Sequence, residues 1–457
     1  MDITKVREKF KELYGTQGAV YTSPGRVNLI GEHTDYNGGF VLPGAVDKGM
    51  VAEIIFNGTD KVRAFALDLG ESAEFGLAET DTPKEQWAKY IFGVCRELTK
   101  RGGTIKGFDT VFSGDVPLGA GMSSSAALES TYAFALNEML GLGLDKMTLA
   151  QVGQATEHNY VGVKCGIMDQ FASVHGKAGN LMRLDCKTGE FQYVPFDPEA
   201  HGYKVVLIDS CVKHELVGSP YNKRRESCER AVKAIQQRHP GVEFLRDARP
   251  EWLEEVIGVI SQEDYIRAKY AIDEVQRLLD ACAALEAGDY ETVGRKMYGT
   301  HVGMSVLYEV SCEELDFLNE VAKECDANYN KTIEAAARKI ADNLSKSRIV
   351  LLSGPSGSGK TTTAKKIEAK LEEMGIHSHA IAMDNYFLTV DPETCPRNRD
   401  GEIDYESPFC LDMDLLNRHF NLLDKGEKIL VPKFEFARQM RSAIKSHPLQ
   451  LGSDEIA

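Results

Sequence analysis

The chain has 457 residues and a net charge of −16, so it is long enough for two or three domains but carries no general basic field. A surface that follows phosphate backbones or anionic membranes needs clustered positive charge, which excludes general nucleic-acid and membrane-surface binding. The 10 cysteines show no metal-ligand spacing and no apolar run reaches about 18 residues, which predicts a cytoplasmic protein with buried thiols.

The first informative loop follows a predicted amphipathic helix at the N-terminus. A predicted strand over Val27–Ile30 leads into a polar loop. This loop has four polar or charged side chains within six positions: Glu32, His33, Asp35 and Asn37. Function concentrates on loops held by rigid strands, so this density favours a ligand with several hydroxyls, such as a sugar. The alternative is an ordinary solvated turn.

Two predicted strands, Met50–Phe56 and Val62–Leu67, flank an Asn57-Gly58 pair that is typical of a β-hairpin. Trp87 follows on a predicted helix. An aromatic residue there more often packs in the core than borders an adenine ring.

Residues 117–127, Pro-Leu-Gly-Ala-Gly-Met-Ser-Ser-Ser-Ala-Ala, join a predicted strand that ends at Ser113 to a predicted helix over 126–142. Gly119 and Gly121 allow the backbone to bend and to approach a ligand closely. Ser123–Ser125 suit the cap and first turn of the helix, where unpaired N–H groups converge. The pattern predicts a phosphate site; the alternative is an ordinary serine-capped turn.

Asp169 follows a loop of small residues and precedes an apolar stretch, which predicts a partly buried carboxylate at the mouth of a cleft. A buried carboxylate needs a partner, and Arg26 in the other glycine-flanked loop is the candidate. The alternative is an aspartate that caps a helix. Further on, the chain predicts a hairpin over 180–194, a buried strand over Tyr203–Ser210, a helix opening at Tyr221 and mainly helices over 249–325.

The character of the chain changes near Asp326. A predicted helix over 327–344 enters a predicted strand over 347–353, which runs into a complete Walker A pattern from Gly354 through Gly359 to Lys360 and Thr361. Lys360 suits the β- and γ-phosphates and Thr361 suits magnesium. A second phosphate-binding domain is therefore predicted.

Residues 25–43 resemble the galactokinase signature, and residues 117–127 resemble the ATP motif of the GHMP small-molecule kinase superfamily. The similarity continues through 165–170, 219–224 and 308–316 and covers about residues 5–325. It implies an α/β protein with the two-lobe α+β GHMP kinase fold, its C-terminal lobe incomplete. It also implies phosphorylation of the C1 hydroxyl of galactose, with ATP and Mg²⁺ as cofactors.

The resemblance further implies roles for individual residues. The galactose-binding set would be Glu32, His33, Thr34, Asp35 and Tyr221. The ATP-binding set would be Gly119, Ala120, Gly121, Met122, Ser123, Ser124 and Ser125, with Trp87 at the adenine. Magnesium would be held by Ser125 and Glu157. Asp169 would accept the C1 hydroxyl proton or orient that hydroxyl, and Arg26 would balance charge on the transferring phosphoryl group.

From about residue 327 the chain resembles the uridine kinase family of P-loop proteins, with Asp384 in a Met-Asp-Asn-Tyr-Phe segment as the candidate base. The third glycine-rich GHMP motif does not follow the first part, and the second part stops before its next core strand. Two partial kinases are therefore expected, divided into an N-terminal lobe (1–195), a truncated C-terminal lobe (196–325), a linker helix (326–346) and a truncated P-loop domain with a parallel sheet (347–457). The alternatives are a uridine-type nucleoside kinase or a non-catalytic sugar- or ATP-binding fusion product.

Overall fold

The computed structural model describes residues 2–117, 121–212, 221–353, 360–391, 395–397, 403–404, 407–442, 444–453 and 455–457. The chain forms two compact units, Met1–Asn319 and Glu320–Ala457. Within the described ranges, no helix is both long enough and apolar enough to cross a membrane. The finer division into four segments stays a prediction.

The first unit contains both helices and strands. Its helices are α1 (Ile3–Tyr14), α2 (Gln86–Lys100), α3 (Ser124–Met139), α4 (Lys146–Thr156), α5 (Met168–His175), α6 (Tyr221–Gln236), α7 (Pro250–Glu254), α8 (Gln262–Glu286), α9 (Tyr290–Val302) and α10 (Glu313–Asn343), which extends beyond residue 319. Its strands are β1 (Ala19–Asn28), β2 (Phe40–Val41), β3 (Pro43–Phe56), β4 (Lys61–Ala66), β5 (Glu71–Gly76), β6 (Phe108–Gly114), β7 (Asn180–Asp185) and β8 (Phe191–Pro195).

A five-stranded sheet with the order β1-β3-β6-β4-β5 forms the base of the first unit. Successive side chains of a strand point to opposite faces, so Val51 and Ile54 of β3 enter different cores. Ile54 packs with apolar residues of α2, α3 and α4, whereas Val51 packs with Phe10 of α1. Both faces of the sheet are therefore covered by helices.

The hairpin predicted at Asn57-Gly58 is wrong. Strand β6 lies between β3 and β4; it pairs antiparallel with β3 and parallel with β4. The Asn57 backbone N–H donates to the Gly107 carbonyl, and its side-chain amide donates to Asp109. The Asn-Gly turn therefore leads the chain across the end of β6 instead of reversing it into an adjacent strand.

The later elements of the first unit form a second sheet and a helical layer. Strands β7 and β8 form the predicted hairpin, and β2 pairs with β7. Helices α6 and α8 pack around a core that includes Tyr270 and Tyr308, both fully buried. The predicted helix start at Tyr221 and the helix-rich region after Arg249 are confirmed.

The buried strand predicted over Tyr203–Ser210 is wrong. Residues 203–212 are not in a strand, and Val206 and Ile208 are 72% and 59% exposed. A strand exists only where a neighbour accepts and donates its backbone hydrogen bonds. No described strand pairs with this segment, so its apolar side chains do not reach a core.

The second unit has short elements. Its helices are α11 (Lys360–Glu373) and α12 (Met413–Asp424), and its strands are β9 (His377–Ser378), β10 (Ile429–Val431), β11 (Phe434–Glu435), β12 (Met440–Arg441), β13 (His447–Leu449) and β14 (Glu455–Ile456). They pair as β10-β13, β11-β12 and β14-β9, and the last pair is parallel. Tyr386, Leu416 and Val431 belong to the largest apolar cluster described for this unit.

The sequence predictions for the second unit are met in part. The helix after the Walker A pattern is present as α11. The predicted strand over 347–353 is not a strand: the Val350 N–H donates to the Ala457 carbonyl, but Leu351 is 69% exposed. Gly354 and Gly359 lie outside the described residues.

We expect Gly93 to be required where α2 packs on α4. A Cβ at Gly93 would lie 2.4 Å from Thr156 Cγ2, so Gly93→Ala forces two packed helices apart. The substitution should lower the free energy of unfolding of the first unit by about 1–3 kcal/mol. Urea unfolding followed by tryptophan fluorescence reports on this unit, because Trp87 and Trp252 both lie within it.

The matched control is Gly294→Ala in α9, where a Cβ would meet nothing within 4 Å. Alanine is favoured over glycine inside a helix, so this variant should gain up to about 1 kcal/mol. Equal effects of the two substitutions would contradict the close packing of α2 and α4.

Candidate active site

Arg26 and Asp169 form an ion pair between β1 and the first turn of α5. Arg26 Nε donates to Asp169 Oδ1 at 2.8 Å, and Nη2 lies 2.8 Å from the same oxygen. The Asp169 side chain is 31% exposed, so one side of the carboxylate remains open. The partner expected for Asp169 from the sequence is therefore present. Asp169 lies within α5, whose N-cap residue is Ile167, so the capping alternative does not describe it.

The serine segment meets the same carboxylate. Ser123 is the N-cap residue of α3 and has a left-handed backbone, with φ of 55°. Its hydroxyl makes no capping hydrogen bond and instead donates to Asp169 Oδ2. A positive φ is costly for a residue with a Cβ, so this geometry is typical of a functional site.

The start of α3 is fixed against β1. Arg26 Nη1 donates to the carbonyl oxygen of Gly121, and the Arg26 backbone N–H donates to the carbonyl of Met122 at 3.1 Å. A Cβ at Gly25 would lie 2.7 Å from the same Met122 oxygen, which explains the glycine. Ser124 and Ser125 form the first turn of α3. Gly119 and Ala120 lie outside the described residues.

The polar loop between β1 and β2 is closed by its own backbone and by α8. The Thr34 side chain is fully buried, and its hydroxyl lies within hydrogen-bond distance of the carbonyl oxygens of Gly31 and Phe40. The Gly31 N–H donates to Glu274 Oε1 of α8 at 3.0 Å. His33 has a φ of 61°, which turns the chain in the left-handed region. Thr34 therefore shapes the loop.

Two carboxylates of this loop lie close to the Arg26–Asp169 pair. Glu32 Oε1 accepts from Asn28 Nδ2 at 2.9 Å, and burial raises the Glu32 pKa. Burial, with the nearby charge of Asp169, raises the pKa of Asp35 to about 6. A Cβ at Gly166 would lie 1.6 Å from Asp35 Oδ2, so only glycine allows this carboxylate its position.

His33 is an uncharged member of the loop. Burial, reinforced by the cation of Arg224, lowers its pKa to about 4, so the imidazole is neutral near pH 7. Its ring centroid lies 5.4 Å from that of Tyr221, the first residue of α6. The structure thus brings His33, Tyr221 and the loop carboxylates to one side of Asp169.

Glu157 lies in a π-helical turn directly after α4 and is 4% exposed. Burial raises its pKa to about 7, opposed by a hydrogen bond from Ser125. Its Oε2 atom has no hydrogen-bond partner, and neither has Glu129 Oε1 nearby. Mg²⁺ in kinases is held by one or two carboxylates together with phosphates, so an orphaned carboxylate oxygen beside a serine fits that ion.

Within the described ranges, no group of three or more acidic, histidine or cysteine side chains could hold a metal by itself. Trp87 is 9% exposed, packs in the core under the sheet and donates to Glu71 at 2.9 Å. Lys360 and Thr361 begin α11, and Asp384 lies in a 3₁₀ turn over Met383–Tyr386, all in the second unit.

Comparison with known proteins identifies both parts of the chain. Residues 8–54 match the galactokinase galactose-binding signature, and residues 89–177 match the N-terminal domain of GHMP kinases. A galactokinase from Roseiflexus sp. is 38% identical over 337 residues, which cover 74% of this chain and 85% of that protein. The chain belongs to the galactokinase family.

Other relatives agree with this assignment. A galactokinase from Thermotoga maritima is 40% identical over 65% of this chain and 80% of its own length. The crystal structure of Lactococcus lactis galactokinase complexed with galactose superposes with a TM-score of 0.64 and 33% identity, covering 70% of this chain and 83% of that one. Residues 349–454 match the phosphoribulokinase and uridine kinase family, in agreement with the resemblance of the second part.

Some residues at the galactokinase site were missed in the sequence. Glu129 is fully buried, accepts from Gln170 Nε2 at 3.0 Å and has its pKa raised well above normal by burial and by the charge of Glu157. The available signal was a glutamate within a helical segment that is otherwise mostly apolar or small. Gly166 could not be recognised from the sequence, because the residue that requires a glycine there is Asp35, which is 131 positions away.

We expect Asp35→Asn to stabilise the first unit in a pH-dependent way. The Asp35 pKa is about 6 in the folded chain, above its usual 3.8, so the folded state holds this proton more tightly than the unfolded state does. Ionisation of Asp35 therefore lowers stability as the pH rises from about 4 through 6. The isosteric amide removes that cost and should gain on the order of 2 kcal/mol above pH 7, but little at pH 4.

The measurement is urea unfolding followed by tryptophan fluorescence at a series of pH values from 4 to 8. Asp60→Asn, at an exposed turn, is the matched control and should change stability little at every pH. A gain for Asp35→Asn that is the same at pH 4 and pH 8 would contradict the buried-carboxylate explanation.

Proposed function

We propose that this chain transfers the γ-phosphoryl group of ATP to the C1 hydroxyl of galactose. One observation carries the proposal: Arg26, Asp169 and Ser123 meet in a single hydrogen-bonded group between the polar loop and the start of α3. The polar loop supplies the sugar site and α3 the phosphate site. Family membership and the galactose complex of the Lactococcus lactis relative support the same substrate.

In this mechanism the polar loop binds the sugar. Glu32 and Asp35 accept hydrogen bonds from sugar hydroxyls, His33 and Tyr221 complete the binding surface, and Thr34 keeps the loop closed. Binding of this kind is selective, because an analogue that lacks a hydroxyl leaves a buried partner unsatisfied. The open side of the Asp169 carboxylate receives the C1 hydroxyl.

Asp169 then takes the proton as the C1 oxygen attacks the γ-phosphorus and the bond to the β-phosphate oxygen breaks. Arg26 hydrogen-bonds to the carboxylate and balances the charge that spreads over the transferring group. By resemblance to the family, residues 119–125 hold the ATP phosphates, and the backbone N–H groups at the start of α3 are the donors. The role of Trp87 beside the adenine rests only on the resemblance to the family.

Ser125 and Glu157 would hold Mg²⁺, because a hydroxyl and one free carboxylate oxygen leave coordination positions for phosphates and water. When bound, this ion neutralises charge on the phosphate oxygens. We place the reaction in the cytoplasm, since all ten cysteines are free, as expected of a reducing compartment.

A nucleoside kinase activity of the second unit is the second candidate. It is favoured by the family match over residues 349–454 and by the helix that begins at Lys360 and Thr361. Asp384 would be its base. The proposed domain division assigns residues 1–195 and 196–325 to the two galactokinase lobes, 326–346 to a linker helix and 347–457 to this P-loop domain.

A coupled assay with galactose, uridine or no acceptor should assign the activity. Wild-type protein should consume ATP with galactose. Asp169→Asn should lower kcat by about 10²- to 10⁴-fold, because it removes the proton acceptor while keeping its shape. Galactose affinity by calorimetry should change by less than about threefold, since the amide can still hydrogen-bond.

Two control variants test whether the loss of turnover is specific to Asp169 and to the first unit. Asp60→Asn should leave kcat unchanged, and Lys360→Ala should retain galactose-dependent turnover because Lys360 belongs to the other unit. Turnover with uridine that Lys360→Ala abolishes would establish the second candidate. Unchanged galactose turnover in Asp169→Asn would remove Asp169 from the mechanism.

Gly166→Ala should weaken galactose binding without unfolding the protein. The added Cβ would displace the Asp35 carboxylate, and loss of one hydrogen bond to a charged partner costs about 1.5–3 kcal/mol. We therefore expect the calorimetric Kd for galactose to rise by about 10- to 100-fold. Gly162→Ala is the control for backbone strain, because Gly162 has a φ of 91° but nothing within 4 Å of its Cβ position.

A further inference from the structure

A chain of four side chains connects the core of the first unit with His33. The Tyr36 hydroxyl lies 2.8 Å from His33 Nδ1 and 2.7 Å from the Tyr308 hydroxyl. The Tyr308 hydroxyl in turn lies 3.3 Å from the sulfur of Cys228 in α6. Tyr308 is fully buried and Cys228 is 1% exposed, so the inner half of this chain is shielded from bulk solvent.

Packing holds the tyrosine hydroxyls in position. The Tyr308 ring centroid lies 4.9 Å from that of His33 and 4.7 Å from that of Tyr270. Arg224 donates to the backbone carbonyls of Tyr308 and Glu309, and Glu309 has a left-handed φ of 55°. The Tyr308 hydroxyl is therefore fixed by its own backbone as well as by its ring contacts.

The hydrogen bonds along this chain run in one of two directions, because each tyrosine hydroxyl has one proton. In the outward direction, the Cys228 thiol donates to Tyr308, Tyr308 donates to Tyr36 and Tyr36 donates to His33 Nδ1, which leaves the His33 proton on Nε2. In the inward direction, His33 Nδ1–H donates to Tyr36, Tyr36 donates to Tyr308 and Tyr308 donates to Cys228.

We infer that Tyr36 and Tyr308, supported by Cys228, are positioning residues that fix the His33 proton on Nε2, so that His33 donates a hydrogen bond to a sugar hydroxyl. A neutral imidazole has one donor nitrogen and one acceptor nitrogen, and the partner of one decides the role of the other. The identification of the ligand as a sugar rests on the proposed function.

This arrangement complements the loop carboxylates. Ionised Glu32 and Asp35 can only accept hydrogen bonds, so they bind the protons of sugar hydroxyls. A hydroxyl that donates to a carboxylate still has lone pairs, and the Nε2–H of His33 is the donor that fits them. With the proton on Nδ1 instead, Glu32, His33 and Asp35 would all be acceptors, and these three side chains would offer no donor to a hydroxyl oxygen.

The first test reads the tautomer directly in the full chain without sugar. ¹⁵N-histidine NMR distinguishes protonated from unprotonated ring nitrogens, and His33→Gln assigns the His33 signals by their loss. Wild type should show His33 protonated on Nε2 alone. Tyr308→Phe keeps the ring that packs on His33 and removes only the hydroxyl. It should produce a mixture of both tautomers, because Tyr36 can then accept from His33 as well as donate to it.

Tyr132→Phe is the matched control, since Tyr132 is also fully buried and its hydroxyl lies 2.8 Å from Thr110, away from this group. It should leave the His33 signals unchanged. A wild-type His33 protonated on Nδ1, or a tautomer that Tyr308→Phe does not alter, would overturn the inference. Both results are obtained whether or not the protein phosphorylates galactose.

The second test uses a series of deoxygalactoses as acceptors. Tyr308→Phe should raise the KM for galactose by about 3- to 10-fold while kcat changes by less than about twofold, because a binding contact is weakened. One analogue lacks the hydroxyl that His33 contacts, and it is identified as the analogue whose KM His33→Gln does not change. For this analogue, Tyr308→Phe should not raise the KM.

A KM penalty of Tyr308→Phe that is equal for all analogues would indicate general loosening of the site and would overturn the inference. Thermal unfolding of Tyr308→Phe and Tyr132→Phe, measured alongside, should give similar losses, because each removes one buried hydroxyl. Failure of the wild type to phosphorylate galactose would contradict the proposed function and leave the tautomer measurement to decide this inference.

Discussion

The ion pair of Arg26 and Asp169 is the interaction on which the organisation of the site depends. It joins residues 143 positions apart, and each partner also binds the start of α3: Arg26 through the Gly121 carbonyl and Asp169 through the Ser123 hydroxyl. A partly buried charge that loses its partner is costly, so the elements carrying these groups are held together electrostatically as well as by packing. Strand β1, α3 and α5 thus meet at one point with a carboxylate left accessible.

The polar loop depends on groups that come from much later in the chain. Glu274 of α8 accepts from the Gly31 N–H, and the Tyr270 hydroxyl donates to the Glu32 carbonyl at 3.1 Å. These contacts offset the cost of the left-handed backbone at His33. The loop side chains are therefore placed before a ligand arrives, and little ordering remains to oppose binding.

The local features of the site could be predicted from the sequence, whereas the connections between them largely could not. The helix that starts within the serine run and the basic partner of Asp169 both follow from residue chemistry, and both are present. The Asn57-Gly58 turn was misread because the pairing of β3 depends on β6, about 50 residues further on. Tyr203–Ser210 has strand-forming residues but no described neighbour to pair with. The contacts of Tyr36 with Tyr308 and of Asp35 with Gly166 join distant segments and leave no periodic pattern.

The insertion of β6 between β3 and β4 has a consequence for the order of folding. Strand β4 pairs with β5 across a short turn and β1 with β3, so two small antiparallel units can form while the chain is synthesised. Each then has an open edge until residues 108–114 leave the ribosome, and β6 closes both edges at once. Non-local pairing of this kind slows folding. Until β6 pairs, the unpaired edges of β3 and β4 are exposed to other chains. Helix α3, which directly follows β6, therefore places its serines only after the sheet beneath it is complete.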